Sequence, residues 1–319
     1  MRLRPQRCFW MFAIVIATAH HALAADYPAK AVRIIVPAPP GAGADTTVRA
    51  ITRKLTDYWG KPVIVDNRPG IPGLQVAAGS APDGYTLVLG SSANMVTAPL
   101  TVATLPYGPK DFAPVSGGVQ NLPILVAHPS LGVKSVKELI VLAKAQPGAL
   151  NYNSSGTGGG NHLAMELFTA MTGTRMVHVP YRGGAPAVTD LMAGNVHLGF
   201  HVIMTVLPHI KAGKLIPIAL GSTRRASAIP DIPTIAETVP GFDYTIWYAF
   251  FAPARTPPAI VNKVSADIQR ALKEPDLVQP FMSQGSEPHP TTPQELASYI
   301  SKDTARWAKI VKERNLKVE

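Results

Sequence analysis

Two glycine-rich turns are the parts of this sequence best suited to chemistry. The first, Pro39-Pro40-Gly41-Ala42-Gly43-Ala44-Asp45, follows an apolar run at 32–36 and opens a helical pattern through Val48, Ile51, Leu55 and Trp59. The second, Ser154-Ser155-Gly156-Thr157-Gly158-Gly159-Gly160, follows a strand expected at 150–153 and opens a helix expected at 161–171. Glycines let the backbone approach a ligand closely, and the free N–H groups of a first helical turn attract an anion. Neither turn is a nucleotide motif. Position 46 is threonine where G-x-G-x-x-G needs glycine, and no Gly-Lys-Ser/Thr follows the first turn. The alternative for each is a tight strand-to-helix connection that binds nothing. Asp45 also has two readings. It caps the helix through free N–H groups, or it faces a crevice and accepts a hydrogen bond from an ammonium or hydroxyl, which would repel a pure anion.

Covalent and metal chemistry find less support. G-x-S-x-G is absent, and Ser154 lacks the leading glycine of a nucleophile elbow. His197 and His201 fall on a strand expected around 196–200, where four residues apart means one face and about 13 Å of separation. No His/Asp cluster has ligand spacing, and nothing pairs the acids as a dyad. The residues therefore point to binding without catalysis, metal or cofactor. An exported hydrolase whose triad assembles from distant positions is the alternative. Tyr181, in Val179-Pro180-Tyr181-Arg182-Gly183-Gly184, is an aromatic at a strand end before a glycine turn. It lines a cleft or belongs to the core, as do Tyr107, Trp247 and Tyr248.

The elements that position these turns alternate. Strands are expected at 32–36, 62–65, 85–89, 124–126, 150–153, 176–179, 196–200 and 216–220. Helices are expected after the first turn and at 76–81, 136–145, 161–171, 185–193, 206–212, 257–272 and 293–313. Such alternation makes an α/β fold with mostly parallel sheets covered on both faces. Two turns, each after a strand in a different lobe, face each other across a cleft at the carboxyl ends of the strands. One carboxylate per helix N-terminus is a sensible way to hold a small dicarboxylate. The segment 245–251 is long enough to cross back from the second lobe to the first. The first domain is therefore expected to be discontinuous, 26–123 with 246–319, and the second to be 124–245.

Residues 1–25 read as a removable secretory leader. Arg2, Arg4 and Arg7 precede an apolar run at 8–19, and Ala22-Leu23-Ala24 supplies the small-residue cleavage pattern near Ala24 or Ala25. The run is too short to span a bilayer, which takes roughly 20 apolar residues. Cys8, the single cysteine, leaves with the leader. The remaining chain, roughly 295 residues, must then rely on ordinary burial, and it divides naturally into two domains. The net charge of +10 includes the three leader arginines. The other positive residues are scattered, with no basic stripe among aromatics, so no nucleic-acid partner is expected.

Several short motifs, in order along the chain, resemble one family. They are Val32-Arg33-Ile34-Ile35-Val36-Pro37 with the turn ending at Asp45, Asn67-Arg68-Pro69-Gly70, and Ala81-Pro82-Asp83-Gly84-Tyr85. Ser155-Gly156-Thr157-Gly158, His178-Val179-Pro180-Tyr181-Arg182-Gly183 and Pro230-Asp231-Ile232-Pro233-Thr234 continue the series. Together they resemble the extracytoplasmic solute receptors of the tripartite tricarboxylate transporters, the Bug family. The resemblance implies a periplasmic, two-lobed, type II-like binding protein that closes on a small organic carboxylate. It also implies two integral membrane transporter subunits as partners; the receptor itself is expected to be a monomer. A receptor that reports to a signalling partner without a transporter is the variant reading. The resemblance places Gly41, Ala42, Gly43, Ala44, Asp45, Ser92, Ser155, Thr157 and Tyr181 near the ligand. His201 stands after Phe200 where many relatives carry an aspartate. A histidine there is neutral or positive near pH 6.5, so the cleft is expected to prefer a ligand without an amine.

Overall fold

The computed structural model describes residues 27–157 and 159–314, the side chain of residue 314 excepted. The expected leader, Cys8 and Gly158 of the second turn lie outside the described residues.

The chain first builds β1 (Val32–Val36), α1 (Gly43–Trp59), β2 (Val63–Asn67), α2 (Ile71–Ala78) and β3 (Thr86–Ser91). A wide π-type turn at Ala93–Thr97 runs into α3 (Ala98–Thr101), and then come β4 (Phe112–Asn121) and β5 (Pro123–Ala127). Next are α4 (Val136–Ala145), β6 (Asn151–Ser154), α5 (Gly160–Thr172), β7 (Val177–Pro180), α6 (Gly184–Met192) and β8 (Leu198–Val202). The chain closes with α7 (Ile203–Lys211), β9 (Ile216–Leu220), β10 (Ile246–Pro253), α8 (Pro258–Ala271), α9 (Pro275–Ser283), β11 (Ser286–Pro288) and α10 (Pro293–Arg314).

The strands form two sheets, one per lobe, ordered β11-β4-β10-β3-β1-β2 and β7-β6-β8-β5-β9. In the first, β2, β1 and β3 are parallel, with Ile34 opposite both Val65 and Leu87. In the second, β7, β6 and β8 are parallel, and β5 runs antiparallel between β8 and β9. Each sheet thus offers three parallel strands whose carboxyl ends lead into helices. The apolar run of β1 is buried on both faces, as a strand between helical layers must be. On α1, Val48, Ile51 and Leu55 recur at helical spacing and are fully buried. Gly60 ends that helix in the left-handed conformation (φ 58°).

The lobes are joined by two long strands. β4 and β10 pair antiparallel along their whole length, from Ile246 opposite Asn121 to Pro253 opposite Phe112. The expected crossing at 245–251 is therefore β10, and β4, which the sequence reading leaves unassigned, is its partner. The largest core cluster runs through this region from Ile35 and Val88 to Tyr152 and Phe200. Trp307 of α10 meets Tyr244 edge-on with ring centres 6.0 Å apart, tying the last helix to the connection. Two expected elements shift. The helix expected at 76–81 is α2, drawn back to Ile71 because Gly70 and Pro72 supply its start. α7 begins directly after β8, three residues before the expected start.

The candidate binding cleft

The two sets of parallel strands bring helix starts to the space between the lobes. α1 and α2 begin after β1 and β2; α5, α6 and α7 begin after β6, β7 and β8. Their N-cap residues are Ala42, Gly70, Gly159, Gly183 and Val202, and no side chain caps any of them. On α4, by contrast, the Ser135 hydroxyl accepts from the Glu138 N–H. Helix N-termini carry partial positive charge and unpaired donors, so five such ends are built to receive an anion.

Three cavities lie against these ends. One of about 280 Å³ has Gly43, Thr46 and Thr47 of α1 on one wall and Val202, Met204 and Thr205 on the other, with Asn121 and Tyr248 from the crossing strands. A second, of about 290 Å³, sets Gly70, Ile71 and Asn94 against Thr157 and Gly159. The third, of about 590 Å³, lies within the second lobe and includes Ser155, Asn161, Gly184 and His201. It shares Val202 and Thr205 with the first, so the two spaces are neighbours across those residues. No Asp, Glu, Lys or Arg side chain lines any of the three. The polar groups that line them are backbone, hydroxyl, amide and imidazole groups.

The sequence-predicted residues separate into lining and supporting groups. Gly43, Ser155, Thr157 and His201 line cavities. Gly41, Ala42, Ala44, Asp45, Ser92 and Tyr181 line none of these three. Gly41 takes φ 80°, a left-handed turn that glycine adopts at little cost, and its N–H donates to the Asp45 carboxylate at 2.8 Å. Asp45 is 2% exposed and accepts from Arg49 Nε at 2.9 Å and Asn67 Nδ2 at 2.9 Å as well. Burial alone raises its pKa, but the bonds from Arg49, Gly41 and Asn67 outweigh that and hold the carboxyl below its usual range. Of its two readings, neither helix cap nor crevice acceptor describes it: Asp45 ties the first turn to β2 through Asn67. Ser92 is buried ahead of the turn at Ala93–Thr97. The Tyr181 hydroxyl donates to Asp190 at 2.7 Å, and burial, helped by that carboxylate, pushes it up to about 12.

Behind the second turn lies a stack of rings. His162 and His178 are 3.9 Å apart centre to centre, and Tyr152 stacks on His178 at 5.1 Å. The Ser154 hydroxyl, fully buried, lies 2.6 Å from His178 Nε2. Burial and the neighbouring His162 push His178 down to about 4. A serine without access and a weakly basic imidazole shape the turn. The turn is also held from the side, where Tyr181 N–H and Gly183 N–H donate to the Ser154 and Ser155 carbonyls at 3.0 and 3.2 Å.

His201 corrects one expectation. It is 2% exposed, with Nε2 3.1 Å from Asn153 Oδ1. Burial pushes it down to about 4, so it does not titrate near pH 6.5 but stays neutral well below that. Sequence reading did not name Thr46, Thr47, Asn121 or the starts of α6 and α7 as parts of the site, although it expected α6 to within one residue of its start. The glycine pair at 183–184 was a usable signal for α6, whereas nothing at Val202-Ile203 announces a helix start. Among the described residues no helix is long and apolar enough to cross a membrane, and no three His, Cys, Asp or Glu side chains gather as a metal site.

The model of the tripartite tricarboxylate transporter family receptor matches residues 47–316. Protein BugT of Bordetella pertussis is 38% identical over 98% of this chain and 99% of its own. A solved periplasmic transporter is 37% identical, with TM-score 0.79 over 92% of this chain and all of its own. An R. palustris protein solved with adipate is 33% identical, with TM-score 0.80 over 92% of this chain and 99% of its own. The fold, a two-lobed α/β periplasmic binding protein with a cleft at the strand ends, is the one these relatives share, and the chain belongs to the tripartite tricarboxylate transporter receptor family.

Proposed function

We propose that this protein is a periplasmic solute-binding receptor that captures a small organic carboxylate between its lobes and delivers it to a tripartite tricarboxylate-type membrane transporter. The observation that carries this is the convergence of five helix starts without side-chain caps on cavities that no charged side chain lines. That arrangement favours an anion whose charge is spread over carboxylate oxygens. Family membership supports the same reading, as do the R. palustris relatives solved with adipate and with malate, both small carboxylates. The moving units are 26–123 with 246–319 and 124–245, hinged on β4 and β10. The leader is removed near Ala24 or Ala25, and the partners are two integral membrane subunits, with the receptor a monomer and free of catalytic activity.

Bonds from backbone N–H groups to a carboxylate contribute roughly 1.5–3 kcal/mol each. Four or five of them, less the cost of association, give micromolar affinity, about −8 kcal/mol. Calorimetric titration of the purified protein with mono-, di- and tricarboxylates tests this, read beside small-angle scattering for lobe closure. Micromolar binding of at least one acid with a smaller radius of gyration is expected. Binding of sugars or cations in place of any carboxylate would overturn the reading.

A further inference from the structure

The third cavity has a shape and polarity that reach beyond carboxylate capture. β6, β7 and β8 are parallel, so α6 and α7 both start at the cleft and run away from it. Along α6 the cavity is lined by Gly184, Ala185, Val188, Thr189 and Met192, one helix face from its first residue to its last. Along α7 it is lined by Thr205 and His209, four apart on one face, with Val202 at the N-cap. The space is therefore a groove. From Ala185 to Met192 the helix rises about 10 Å at 1.5 Å per residue.

Its polarity is graded. Ser155, Asn161 and the starts of α6 and α7 make the mouth polar, Val188 with the hydroxyls of Thr189 and Thr205 lies midway, and Met192 and His209 stand at the far end. His201 completes the wall. The Asn153 amide donates to the Ala187 carbonyl at 2.6 Å, so its oxygen faces His201 Nε2, which must carry the ring proton. Burial keeps that ring neutral on the groove wall. No Asp or Glu lines it, so nothing there offsets an ammonium brought out of water.

The geometry points to a subsite between α6 and α7 for the uncharged, apolar body of an amine-free carboxylate, an aromatic ring or a medium-length aliphatic chain, whose head rests at the helix starts. This rests on the carboxylate-receptor reading and narrows it. The head is held by backbone, and the body is selected by side chains.

Calorimetric titration of the purified protein with three probes tests it: phenylacetate; phenylalanine, which is one methylene longer and carries an α-ammonium; and succinate, which has no apolar body. Phenylacetate is expected to bind at least tenfold more tightly than phenylalanine. In Met192→Trp, which fills the far half of the groove, the ratio of phenylacetate to succinate affinity is expected to fall at least tenfold. Thr189→Phe, changed at an exposed position on the same face, is a second route should Met192→Trp fail to fold, and melting curves report on that. Succinate binding with no phenylacetate binding would overturn the subsite while leaving the receptor reading intact. Phenylalanine binding as tightly as phenylacetate, or an unchanged ratio in both variants, would also overturn it. Binding of none of the three would overturn the subsite, and the wider carboxylate titration decides the receptor reading.

Discussion

His201 gives the protein an acid sensitivity whose size follows from its burial. Folding moves the imidazole pKa from its ordinary 6.5 to about 4. The unfolded chain therefore binds a proton between those values that the folded chain refuses. Stability is fully present above the unfolded value and drains as pH falls from 6.5 towards 4. Each pH unit in that window is worth about 1.4 kcal/mol, so moving from pH 7 to pH 5 costs about 2 kcal/mol through this residue alone. Urea unfolding of wild type and His201→Asn at the two pH values isolates the effect. The lowered pKa values of His162, His178 and His289, all due first to burial, are common to both proteins and cancel. Wild type is expected to lose about 2 kcal/mol more than the variant between pH 7 and pH 5. Equal losses, within roughly 0.5 kcal/mol of the extrapolation error, would show that His201 is not held neutral by its surroundings.

Three further outcomes are expected. Asp45→Asn removes the charge that gathers Gly41, Arg49 and Asn67, so it should cost about 2 kcal/mol in chemical denaturation and weaken carboxylate binding several-fold by loosening the first turn. Gly160→Ala would usually favour a helix, but its Cβ would sit 2.3 Å from the hydroxyl of buried Tyr244, which has no hydrogen-bond partner among the described residues. That substitution should lower the melting temperature, Tyr244→Phe should be neutral or stabilising, and the double variant should recover most of the loss, reporting the contact as a coupling in a double-mutant cycle. Asp303→Ala strips the buried acceptor of Trp247 Nε1 (2.9 Å) and leaves Arg306 without it, so roughly 3–5 kcal/mol of unfolding free energy should disappear.

Much of the fold was legible because strand, turn and helix each had a local signal. The run at 32–36, the glycines at 41 and 43, and the spacing of Val48, Ile51 and Leu55 lie side by side in the chain. β4 was not legible, since Pro114, Gly117 and Gly118 read as loop. The structure supplies the reason for one of them: a Cβ at Gly117 would lie 2.1 Å from the His289 carbonyl, so the glycine serves a close crossing. The same holds in the site. Glycine turns and small residues announced where an anion would be met. The partners that decide each side chain's role are remote, 22 residues for Asp45 and Asn67 and 48 for His201 and Asn153. Spacing along the chain carries no trace of such pairs, so Asp45 read as a possible ligand group and His201 as a titrating one.

The cleft also divides heritable change into two kinds. Because the helix starts present main-chain N–H groups, most substitutions around them leave the donors in place, and a lineage can drift widely without losing its hold on an acid group. The groove beyond is written in side chains at Val188, Met192, His201 and His209, where one codon change alters the shape or polarity met by the rest of the molecule. Duplicated copies of such a gene could take up new nutrients one residue at a time, each intermediate still a working receptor.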